Sequence, residues 1–293
     1  MAEPHSRFPA PRLALGVALA GAAPAIFLHA YAPLNVAAAV VIACVAAVRL
    51  VRRAPFGVPP LTGLLALAGV AAFWAAWTFG HPTLFTLAER MRAALPFVPE
   101  QAMRARPGND PAWAPRLLGD PALRSAWTVV YLGGWLTVPL LALPWCAVHG
   151  RGDAVLRLGW SHLTCCALAL PVFILLPIPD PWWDAGWLGG LRAPPWWAGI
   201  AEHVVTCCFP SMHVAVATLV ALAAGREAPR LERLAWWTWV GLIAVSTLAV
   251  RTHWLIDLPA GAAVGWLADR MIGRVLVAAS PRLWCEQRAA GSG

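Results

Sequence analysis

Phe209-Pro210-Ser211-Met212-His213-Val214-Ala215 opens one very apolar run, and Ser246-Thr247 ends the next. His253-Trp254-Leu255-Ile256-Asp257-Leu258-Pro259-Ala260-Gly261 follows at once and opens another. Ionisable side chains beside segments this apolar are expensive to place, which marks them as functional candidates. His253 and Asp257 are four positions apart, so on one helix they share a face and can hydrogen-bond. Such a carboxylate fixes the imidazole tautomer and raises its basicity, as a nucleophilic or general-base histidine requires. Pro210-Ser211 ahead of an apolar run reads as a helix start, whose free N–H groups favour a phosphate. His213 then hangs over that anion site as a proton donor.

The surrounding chain sets the medium. Of its 293 residues 60% are hydrophobic and 12% charged, which excludes an ordinary soluble domain and implies a polytopic membrane protein. All 22 basic residues are arginine, and with the Ala, Gly, Pro and Trp content this points to a GC-rich genome and a bacterial inner membrane. The net charge of +8 reads as arginine in cytoplasmic loops, and no soluble segment is left for nucleic-acid recognition. Cys44, Cys146, Cys165, Cys166, Cys207, Cys208 and Cys285 form no CxxC pair and mostly lie in apolar runs, so they read as packing residues, with no disulfide and no zinc site expected.

Apolar runs predict about eight transmembrane helices in an all-α protein: Leu13 to about Ala30, Leu34–Leu50, Pro60 to about Gly80, Ser125–Val148, Arg157–Ile178, Phe209–Gly225, Ala235–Val250 and Trp254 to about Ile272. In the last, Gly261 and Gly265 form a small-xxx-small pair suited to close helix packing. Leu84, Leu87, Met91 and Leu95 fall at helical spacing within the polar 81–124 stretch and predict a helix lying on the membrane surface. Tryptophans beside prolines in Pro177–Trp197 predict a loop pressed into the headgroup zone. His162 and His203 read as packing or interfacial residues. With both termini cytoplasmic, most loop arginines share that side. The six arginines of 81–124 run against the rule. His213 and His253 then land together on the outer face, open to the periplasm.

The two motifs, in this order, resemble the second and third signatures of the type-2 phosphatidic acid phosphatase superfamily. More narrowly they resemble its inositol-phosphorylceramide-synthase-like branch, written FPSxH and ST…HxxxD…AG. The resemblance implies a six-helix catalytic core over residues 81–276, behind two further helices in an N-terminal hydrophobic region, 1–80, and ahead of a cytoplasmic tail, 277–293. It implies a phosphohistidine enzyme needing no metal or other cofactor. By position, His253 is the nucleophile, Asp257 its orienting partner, His213 the general acid and Ser211 a phosphate ligand. The family's first motif, a lysine and Arg-Pro pair, is absent: Arg106-Pro107 has Pro99 where the lysine belongs. Asp180 stands where relatives of the branch often carry an arginine. Arg251 and Arg192 are the expected replacements, since a guanidinium grips phosphate oxygens in bidentate fashion. The expected partners are the bilayer and a lipid phosphate or diphosphate, hydrolysed at the outer face. Transfer of a phospho-headgroup to a second lipid is the alternative, and a non-catalytic transporter or scaffold is the alternative of another class. The clustering of ionisable residues at one face, rather than along a midplane path, favours the enzyme.

Overall fold

The computed structural model describes parts of 65–114, then 121–181 and 208–279 save for isolated positions. The expected first and second helices, the Trp/Pro loop beyond 181 and most of the tail lie outside the described residues, as do Arg192 and His203. Among the described residues the elements are helical, apart from a single bridge at Ile178. They include α1 (Pro99–Arg104), a 3₁₀ turn (Pro111–Trp113), α2 (Pro121–Trp135), α3 (Leu143–Val148), α4 (Gly152–Leu175), α5 (Met212–Ala223), α6 (Arg230–Ala249) and α7 (Asp257–Ala279).

The boundaries differ from the hydropathy reading for local reasons. The expected helix over Ser125–Val148 is split into α2 and α3 by a π turn over Thr137–Ala142. Pro139 and Pro144 lack the N–H that a regular ladder needs, and the wider turn absorbs the loss. Trp239 of α6 donates its indole N–H to the Thr137 hydroxyl at 2.9 Å, so the irregularity is tied to a neighbouring helix. The expected helix over Arg157–Ile178 runs from Gly152 to Leu175 and carries Pro171 inside it. α6 starts at Arg230, earlier than the Ala235 expected, because Pro229 sets its N-cap and Glu232 sits in its first turn. The last helix starts at Asp257, not Trp254, which removes the premise that His253 and Asp257 share a helix.

Only α4, among the described residues, is both long and apolar enough to cross a membrane by length and composition; α5 is apolar but shorter. A count of eight is therefore not reproduced by the described helices.

α5 is the centre of the packing and touches α2, α4, α6 and α7. Nearly all of its residues are buried, as befits a helix apolar on every side. Its tightest partner is α7. A Cβ at Gly261 would stand 2.2 Å from the Ser211 carbonyl oxygen, and one at Gly265 2.2 Å from that of Ala215. The small-xxx-small pair is thus a backbone-to-backbone seam. Because both obstacles are main chain, neither can rotate away. Gly265→Ala should destabilise the fold by about 1–3 kcal/mol, the usual cost of overpacking, and a lowered melting midpoint in detergent checks it.

At the far end of the bundle, Arg157 of α4 is buried against Asp269 of α7. Its Nη2 lies 2.7 Å from Oδ2 and 3.1 Å from the Asp269 carbonyl, and its Nε meets Oδ1 at 2.5 Å. Arg226 adds a contact to Asp269 Oδ2 at 3.5 Å. Arg157, expected as the first residue of the fifth helix, lies inside α4 and is an internal bolt between two core helices. His162, in the middle of α4, is fully buried and meets the Phe73 ring edge-on at 5.6 Å, in keeping with a packing role.

Candidate active site

The site forms where three loops meet beside the start of α5. Ser211 is the N-cap of α5 and its hydroxyl accepts from the Val214 amide. The Ser211 amide donates to the Asp257 carbonyl at 3.1 Å, which locks the entry of α5 to the entry of α7. His213 sits in the first turn, and Tyr131 of α2 stacks on its ring at 4.1 Å between centroids.

His253 lies in the loop between α6 and α7. Arg251, two residues earlier, adopts a left-handed backbone (φ 55°), which turns the chain sharply after α6. Thr252 then bonds back to the Thr247 carbonyl through its amide at 3.0 Å and its hydroxyl at 3.2 Å. Ser246 and Thr247 are buried and bond to carbonyls of their own helix. Their contribution is the shape of this corner.

The imidazole of His253 is held from both sides. Its Nδ1 faces the Cys208 carbonyl at 2.9 Å and Asp257 Oδ2 at 3.3 Å. Both are acceptors, so Nδ1 carries the hydrogen and Nε2 is left with its lone pair. Nε2 faces His213 Nδ1 at 3.5 Å. The expected pairing of His253 with Asp257 is therefore present and His213 lies beside His253, although the carboxylate comes from the first residue of α7 and the histidine from the loop before it.

Asp257 is fully buried. Its Oδ2 also accepts from the Trp254 amide and the Cys208 thiol, each at 2.7 Å, whereas Oδ1 has no hydrogen-bond partner. Burial pushes the Cys208 thiol well above its ordinary range, and the Asp257 and Asp180 carboxylates push it further. The thiol is therefore a donor here. The reading of the cysteines as packing residues does not fit Cys208, whose side chain lies against both His253 and Asp257. Cys208, His253 and Asp257 place one ligand atom each within 4.8 Å of the others, a grouping the sequence reading did not foresee.

The expected phosphate ligands are placed less simply. Ser211 is wholly buried and engaged as a helix cap. Arg251 contacts Asp110 Oδ1 through Nη2 at 3.4 Å, while its Nε is buried without a partner. Asp180 is buried close enough to bear on Cys208.

Two contributors carried no motif. Asn109 is buried, donates to the Met103 carbonyl and accepts from the Ile256 amide, each at 2.9 Å; its own carbonyl takes the Leu255 amide at 3.0 Å. It pins the loop after α1 to the loop that bears His253. Tyr131, in an apolar helix that also carries Trp127 and Trp135, gave no signal beyond its hydroxyl.

A family profile described as PAP2 superfamily matches residues 109–270, a span running from Asn109 through both histidines to the residue after Asp269. The chain belongs to the PAP2 superfamily. The PAP2 match spans Tyr131, Cys208, Ser211, His213, Arg251, His253 and Asp257, and it takes in Arg192 as well. The crystal structure of Aquifex aeolicus LpxE matches over 54% of this chain and 90% of that one, at 17% identity and a TM-score of 0.42. No curated protein matches the chain.

Proposed function

We propose that this PAP2 chain is an integral-membrane lipid phosphatase, acting on a lipid phosphate or diphosphate at the outer face through a phosphohistidine on His253. The observation that carries the reading is the His253 ring itself. Nδ1–H is held by a carbonyl and a buried carboxylate, and Nε2 is free beside a second histidine. An imidazole so fixed presents one defined lone pair.

In the first step Nε2 attacks phosphorus, the P–N bond forms, and the bond from phosphorus to the lipid oxygen breaks. His213 gives that oxygen its proton. General acid help of this kind contributes typically about 10²–10⁴-fold. Asp257 stabilises the positive charge that develops on the ring. In the second step His213, now a base, takes a proton from water as the water displaces His253 and releases phosphate. Arg251 supplies an unpartnered Nε–H for the phosphate oxygens and exchanges Asp110 for substrate; Arg192 and the Ser211 turn are the further proposed contacts. No step calls on a metal.

Headgroup transfer is the second reading. It is favoured by the FPSxH wording at Phe209–His213 together with Ser246-Thr247, which resembles the inositol-phosphorylceramide-synthase-like branch. The chemistry differs only in the acceptor, a lipid alcohol in place of water.

The test is phosphate release in detergent from phosphatidic acid and a polyprenyl diphosphate, with phosphatidylinositol and a ceramide or diacylglycerol acceptor as a third arm. Free phosphate from the first two establishes the phosphatase; a new phospholipid only when acceptor is present establishes the transferase. Turnover should survive EDTA. Loss on chelation, restored by a divalent ion, would overturn the proposed chemistry.

A further inference from the structure

Cys208 has no part in the steps above, yet its thiol lies 3.5 Å from His253 Nδ1 and 2.7 Å from Asp257 Oδ2. Ligand atoms at zinc distances of about 2.0–2.3 Å stand roughly 3.3–3.6 Å apart around a tetrahedral ion. The Sγ to Nδ1 distance of 3.5 Å and the Nδ1 to Oδ2 distance of 3.3 Å already match that spacing. Only the thiol–carboxylate edge has to open, by about 0.8 Å. Asp257 Oδ1 is a second, independent sign: a carboxylate oxygen in a fully buried residue, with nothing to accept from. A thiol, an imidazole and a carboxylate suit a borderline-soft ion of the zinc class, and three protein ligands are too few and too soft for calcium or magnesium.

We propose that Cys208, His253 and Asp257 form an inhibitory site for a zinc-class ion, superimposed on the catalytic pair. Binding releases the Cys208 thiol proton to solvent. The ion takes His253 Nδ1, so the ring's one proton moves to Nε2, where it points at His213. The lone pair that attacks phosphorus is thereby removed, and the carboxylate that steadies the ring is spent on the ion. The inhibition rests on the phosphohistidine reading; the binding does not.

Cobalt(II) is the probe, because a cobalt–thiolate bond gives a near-ultraviolet charge-transfer band. Metal-stripped protein in detergent, titrated with cobalt, should develop this band to saturation at one ion per chain, and zinc should erase it. Cys208→Ser should lose the band, whereas replacing Cys165 and Cys166 with alanine should leave it. No band, or one that persists in Cys208→Ser, overturns the site. Should Cys208→Ser fail to fold, a variant keeping Cys208 as its sole cysteine must still show the band, and its absence overturns the site equally. Zinc should abolish phosphate release and EDTA should restore it; a Cys208-dependent band with undiminished turnover would overturn the inhibition and leave the binding. A chain that binds cobalt through Cys208 but turns over no lipid would instead count against the proposed phosphatase.

Discussion

His253→Ala should eliminate phosphate release, with a fall in kcat of about 10⁴-fold or more, in a protein that still melts like the wild type. Removing a nucleophile that works as a unit with its neighbours costs on the order of 10⁶-fold in well-studied triads, so a residual rate close to wild type would sink the mechanism. His213→Ala should cost less, about 10²–10⁴-fold, because it takes away proton transfer and leaves the attacking nitrogen. Asp257→Asn separates the two jobs of the carboxylate. The Cys208 carbonyl, at 2.9 Å, still holds Nδ1–H, so the tautomer survives and only the charge is lost. Its rate should therefore fall between those of wild type and His253→Ala. Single-turnover quench with labelled substrate checks the order. Label trapped on wild type and absent from His253→Ala is the expected signature.

The largest effect on stability is expected far from the chemistry, at Asp269. Truncation to alanine leaves the Arg157 guanidinium, only 8% exposed, without its bidentate partner. Breaking one side of a buried pair costs about 3–5 kcal/mol, because the survivor keeps its charge and loses its compensation. Arg226, half exposed, loses a weaker contact. The double change Arg157→Met with Asp269→Leu should recover most of the loss, since two apolar groups of similar size need no pairing. Melting midpoints of the single and double variants, measured in one detergent, decide the matter; a double variant no better than Asp269→Ala would mean that the pair specifies the packing of α4 on α7.

The parts of the site legible in the sequence were those whose chemistry is local. His253, Asp257 and His213 stood out because ionisable residues beside apolar runs have few structural reasons to be there. Gly261 and Gly265 were legible for a similar reason: spacing alone announces a close approach. Asn109 and Tyr131 were not, since an asparagine in a polar loop and a tyrosine in an apolar helix are unremarkable until tertiary contacts give them a partner. Hydropathy also misplaced the ends of α4, α6 and α7, because it cannot tell a buried, paired Arg157 from an arginine that marks a helix end, or a loop histidine from a helical one. The direction of Arg251 was hidden too, as a left-handed residue without glycine leaves no trace in composition.

The Asn109 clasp bears on how the protein is made. The loop carrying His253 is fastened to residues 147 positions earlier at one point and 45 positions earlier at another. Its carboxylate opens the last described helix. On the proposed phosphohistidine reading, a nascent chain therefore holds both histidines before it holds the α7 helix whose docking on α5 completes the site.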